Sequence, residues 1–112
     1  MITCQRVPGS ELTIYTLAGV VTGVEIYRAI TQTHSAGPTR HVIWDLRRAK
    51  LTKLRSDEIR ELVRLVVRLG DVPGGAKAAF LGANDMEFVV GHVSQMMAEQ
   101  ESGPYELQVF RH

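Results

Sequence analysis

Cysteine is almost absent: Cys4 is the single thiol in 112 residues, so no internal disulfide and no cysteine-rich zinc site can form. This suits a reducing compartment, and Cys4 is expected to serve in packing. Long apolar runs are also missing; none approaches the ~18 residues that a membrane span needs. The opening Met1-Ile2-Thr3-Cys4-Gln5-Arg6 carries no basic region followed by an apolar stretch, so no secretory signal is read and a cytoplasmic protein is expected. There is little net charge, only +1, which argues against generic nucleic-acid binding. Repeats and low-complexity segments are lacking too. What remains, 45% hydrophobic and 22% charged residues in 12.4 kDa, is the composition of one globular domain spanning 1–112. A chain of this size buries roughly two thirds of the surface it would expose unfolded.

The informative feature is a hydrophobic period that switches repeatedly between two and about 3.6 residues. Residues 2–7 and 11–17 are rich in β-branched and aromatic types, and Pro8-Gly9-Ser10 between them has turn chemistry, which predicts an opening hairpin. Thr22 and Glu25 stand at capping-box spacing, with Val21 and Ile26 placed as a hydrophobic staple, so a helix is expected from Thr22 to about His34, before Gly37-Pro38. His41–Leu46 is short and nearly all apolar, the pattern of a central strand covered on both faces. A second helix is expected near Ser56, whose hydroxyl can cap it, with Ile59, Leu62, Val63 and Val66 as its buried stripe. Residues 76–81 read as another inner strand. Met86, Val89, Val90, Val93, Met96 and Met97 fall at helical spacing, and Tyr105–Phe110 reads as a last strand. The predicted fold is α/β, order β-β-α-β-α-β-α-β: a mixed, mostly parallel sheet with helices packed on it and an antiparallel edge strand contributed by the hairpin.

This order, with Ile43-Trp44-Asp45-Leu46 closing the third strand and Glu106-Leu107-Gln108-Val109-Phe110-Arg111 as the last, resembles the STAS superfamily of sulfate-transporter and anti-sigma-factor-antagonist domains. The likeness is greatest to its SpoIIAA-like branch, related in fold to CRAL-TRIO lipid-binding domains, and it spans nearly the whole chain. It implies a regulatory protein-binding module. Anti-sigma-factor antagonists carry a phosphorylatable Asp-Ser-Ser-Gly motif at the start of the second helix. Here that stretch reads Lys53-Leu54-Arg55-Ser56, so the motif is absent and the phospho-switch does not carry over. Such domains usually close with a further helix, whereas this sequence reaches His112 directly after its last strand. An exposed sheet face and self-association, with a homodimer as the expected assembly, would follow.

Charge is unevenly spread along the chain. From Arg40 to Arg68 nine basic residues face four acidic ones, while from Asp71 to Phe110 six acidic residues are accompanied only by Lys77. Ligands approach open α/β sheets at the carboxyl ends of the strands. Asp45, Arg47, Arg48, Lys50, Lys53, Arg55 and Ser56, at and after the third strand, are therefore the expected partner-binding surface, suited to an acidic protein or a phosphate. Asp45 has a simpler alternative role, capping the loop or pairing with a nearby arginine. Arg60, Arg64 and Arg68 read as the solvated face of the second helix. Aromatic residues that could stack on nucleobases are missing from the patch, so no nucleic-acid partner is expected.

No reaction chemistry assembles. Residues 70–77 precede a strand and lack the hydroxyl that follows the lysine of a phosphate loop. His34, His41, His92 and His112 show no metal-ligand spacing. His41 and Asp45 share a strand face but stand ~13 Å apart along it, too far for a dyad. No enzyme activity, cofactor or metal is expected. A second reading, a carrier or sensor of a small apolar or anionic ligand, rests on the CRAL-TRIO relationship and gives Trp44, Met86, Met96 and Met97 as candidate pocket residues.

Overall fold

The structure, a computed structural model, describes residues 1–37, 39–69, 77–82 and 106–111. Its elements are β1 (Ile2–Arg6), β2 (Leu12–Val20), α1 (Gly23–Ser35), β3 (His41–Lys50), α2 (Ser56–Leu69), β4 (Lys77–Gly82) and β5 (Glu106–Arg111). The third helix expected around Met86–Met97 lies outside the described residues.

Turn chemistry sets the first hairpin. Val7 N–H donates to the Leu12 carbonyl and Ser10 N–H to that of Val7, while Gly9 sits at φ 74°, a left-handed conformation that glycine adopts without a Cβ penalty. The capping box of α1 forms as its spacing predicts. Glu25 N–H donates to the Thr22 hydroxyl and Thr22 N–H to the Glu25 carboxylate, both at 3.3 Å. Val21 and Ile26, the two staple residues, are both buried.

The five strands stand in the order β1-β2-β3-β4-β5, with β1 antiparallel to β2 and every later pair parallel. This is the expected mixed sheet, with β3 at its centre. Parallel neighbours need crossovers, and crossovers of this kind are right-handed. When each one steps in the same direction across the sheet, successive helices fall on the same side. α1 and α2 accordingly pack against each other over one face.

The register shows which residues meet them. Tyr15 pairs with Trp44, and Trp44 with Phe80, so these rings share a face with Thr13, Leu17, Val42, Leu46 and Ala78. All of that set are buried except Trp44, which is partly buried against the others. The Tyr15 and Trp44 rings stack with centroids 4.1 Å apart and planes 9° from parallel. The helices complete this layer with Ile26, Ile30, Ile59, Val63 and Leu65. Leu65 falls outside the predicted stripe. It follows Glu58 by seven residues, two helical turns, and Glu58 lies against Gly23, so Leu65 is on the edge of α2 that meets α1. The opposite face of the sheet carries Ile14, Thr16, Ile43, Asp45, Ala79 and Leu81, all only half-buried. No described helix covers it; among the described residues, helices lie over one face of β3.

β1 is an exposed edge. It is clipped to α1 by its outward-reaching side chains: Arg6 donates to the Thr33 and Gly37 carbonyls, and Cys4 Sγ lies 3.3 Å from Thr33 Oγ1. The packing role expected of Cys4 is therefore corrected. On an edge strand it is exposed, and its contact is a polar one.

The two faces predict different responses to truncation. Leu17→Ala should cost about 3 kcal/mol in urea denaturation, since it opens a cavity between sheet and helices, and Ile14→Ala about 1 kcal/mol. Equal losses would contradict this assignment of faces.

Candidate functional site

The strand expected to end at Leu46 continues to Lys50, so Arg47, Arg48 and Lys50 belong to β3 and not to the loop after it. Pairing with β4 stops at Asp45–Leu81, while pairing with β2 runs on to Val20–Lys50. Among the described residues, the end of β3 is thus paired on its β2 side alone. Within this stretch the register shifts. Thr16 faces Asp45, yet Ala18 faces Arg48, so β3 has one residue more than β2 between the two pairs. A bulge of this kind reverses the alternation of side chains. Leu46 is buried, Arg47 and Arg48 are both exposed, Ala49 returns to the core and Lys50 is exposed again.

Asp45 and Arg47 form a two-pronged pair across the bulge. Arg47 Nε donates to Oδ1 at 2.9 Å and NH2 to Oδ2 at 2.7 Å, with the Arg47 backbone N–H adding a third bond to Oδ1. These hydrogen bonds hold the Asp45 carboxyl below its usual range against the opposing effect of burial, and the carboxylate in turn raises the Arg47 guanidinium. The pairing role weighed for Asp45 is the one observed.

The connection to α2 is short and anchored. Leu54 N–H donates to the Leu51 carbonyl, both leucines are buried, and Thr52-Lys53 form the tip of the turn. The expected cap at Ser56 is corrected. Ser56 is the first residue of α2 and Arg55 takes the cap position, its carbonyl accepting from Ile59 N–H and its own N–H donating to Glu58 Oε1. Glu58 makes the half of a capping box that satisfies the N–H of the cap residue, and its negative charge also suits the helix start. The Arg55 side chain is held by Asp57 and Glu58.

Of the seven predicted residues, then, Asp45 and Arg47 neutralise each other, Arg55 is drawn to two acidic neighbours, and Ser56 is exposed at the start of α2. Among the described residues Arg48, Lys50 and Lys53 make no ion pair, and all three are exposed. They form a basic rim at the carboxyl ends of β2 and β3. The bulge that aligns them has a trace in the sequence: two arginines between Leu46 and Ala49 interrupt a period of two. Candidate pocket residue Trp44 is stacked on Tyr15, while Met86, Met96 and Met97 lie outside the described residues. No group of three or more His, Cys, Asp or Glu stands together among the described residues, and no described helix is long and apolar enough to cross a membrane.

The Asp45–Arg47 pair sets a pH dependence. A carboxyl depressed in the folded chain contributes stability above its unfolded pKa of ~3.9, and that contribution is lost as pH falls through the lower folded value. Asp45→Asn should therefore cost about 1 kcal/mol at pH 7, with the two proteins converging in acid once the pH has fallen through that lowered value. Urea denaturation at a series of pH values measures this, and a pH-independent difference would show that the charge is not what matters. Comparison with protein-family models, with curated proteins and with solved structures found no match for this chain.

Proposed function

We propose that this chain is a non-enzymatic, STAS-like regulatory module that binds an acidic protein partner through the basic rim at the end of β3. The observation that carries the reading is the division of labour among its cations. Arg47 and Arg55 are occupied by neighbouring carboxylates, whereas Arg48, Lys50 and Lys53 are exposed and form no ion pair among the described residues. Folding alone gives no reason for three such cations here. A strand paired with β2 also holds Arg48 and Lys50 in fixed positions, which lowers the entropy lost on binding compared with a loop. The mixed α/β sheet with its antiparallel first strand is compatible with the STAS resemblance. Without the Asp-Ser-Ser-Gly motif, release of the partner would depend on something other than phosphorylation at the start of α2.

The test is a native mass spectrum of the chain purified gently from its own source, in parallel with an Arg48→Glu/Lys50→Glu/Lys53→Glu variant. A second polypeptide should be retained by the natural chain and lost, or strongly reduced, with the variant. Its binding should also weaken as salt is raised, with a shallower salt slope after any single reversal. A polypeptide retained equally by both proteins would remove this surface from the proposal. A small bound mass would instead favour the carrier reading.

A further inference from the structure

α1 and α2 run side by side in the same direction, and a groove of about 660 Å³ lies along their outer seam. Two features of the groove remain unexplained by the fold. Val24 and Tyr27 on its α1 side are 57% and 43% exposed, apolar surface that a solvated helix face does not need. Its α2 side carries both signs of charge in alternation: Asp57 and Glu58, then Arg60, Glu61 and Arg64.

We infer that the groove is the contact face of a two-fold homodimer. Charge selects the arrangement. A two-fold axis parallel to the helices would stack α1 on the partner's α2 in the same direction, laying the charges of α2 on Val24, Tyr27 and Arg28, with no carboxylate there to meet Arg60 or Arg64. An axis perpendicular to them lays each helix antiparallel on its own copy, where acidic and basic side chains of α2 can pair one to one. Such an interface is isologous, so every contact occurs twice. With the axis between residues 60 and 61, Arg60 meets Glu61 of the partner subunit, Asp57 meets the partner's Arg64, and Tyr27 and Val24 lie near the centre. Glu61 is bound to Arg64 of its own helix at 2.8 Å through Oε1 alone, which leaves Oε2 for the incoming arginine.

Helices of 13 and 14 residues give a face ~20 Å long, smaller than the ~800 Å² per partner of a standard interface, so the dimer should be weak and concentration-dependent. This face is on the helix side of the sheet, away from Arg48 and Lys50, and the inference does not rest on the reading above.

Sedimentation velocity of the full chain from about 5 μM to about 500 μM tests it, with circular dichroism to confirm that each variant is folded. The natural chain should move from monomer to dimer across this range. Arg60→Glu and Glu61→Arg should each weaken dimerisation about tenfold or more, since symmetry doubles each repulsion. An equimolar mixture of the two variants should recover it. In the mixed dimer both central positions of one chain are carboxylates and both of the other are guanidiniums, so each like-charge contact is replaced by an opposite-charge one. The Arg48→Glu/Lys50→Glu/Lys53→Glu variant should dimerise like the natural chain. A monomer at every concentration, dimerisation unaffected by either single reversal, or a mixture no better than its components would overturn the inference.

Discussion

Right-handed crossovers stepping always in the same direction leave a sheet no choice about where its helices go. Most of the arrangement described above depends on that constraint. It places α1 beside α2, creates one apolar layer between them and the sheet, and leaves Ile14, Ile43 and Leu81 on a face that no described helix covers. The Tyr15–Trp44 stack sits in the buried layer because the register of β2 and β3 places both rings on the helix side. The outer seam of the two helices, with its exposed Tyr27, is a product of the same winding.

The bulge in β3 is a second, local constraint. Strict alternation after Leu46 would have turned Arg48 inwards, and a buried unpaired guanidinium is costly. One extra residue avoids this by letting two arginines stand outside in succession before Ala49 returns to the core. The Asp45 carboxylate binds the first of them, and its bond to the Arg47 backbone N–H ties the same carboxylate to the bulged segment itself. A single acidic side chain thereby fixes the bulge and separates a structural arginine from cations that remain available.

Much of the fold is legible in the sequence because its signals are local. The hairpin turn at Gly9, the capping box of Thr22 and Glu25, and the apolar run at Val42–Trp44 each rest on chemistry within a few residues, and the observed elements match them. The end of β3 is not legible, because consecutive arginines after Leu46 look like loop; only the partner strand reveals that β3 goes on to Lys50. The start of α2 is ambiguous for a related reason. A hydroxyl just before a helix is a good cap candidate, but here Arg55 holds the cap position and Glu58 three residues on accepts from its N–H, and the two patterns differ by one residue. Leu65 escapes a stripe read from one helix, since such a stripe cannot anticipate the edge that meets another. The basic cluster is visible in composition, yet which cations are neutralised depends on side-chain geometry that spacing does not determine.

The strand order also bears on how the chain reaches this state. Every sheet contact joins a strand to the one before it in sequence, and the parallel partners Leu12–His41, Val42–Ala78 and Lys77–Glu106 are separated by 29, 36 and 29 residues. No strand has to wait for a distant one, so the loop-closure entropy at each step is moderate and nearly uniform. During synthesis the hairpin can form first and receive β3, then β4, then β5, each arriving with the preceding strand already in place as its template. The linear winding is in this sense also an assembly sequence, laid down in the order in which the residues leave the ribosome.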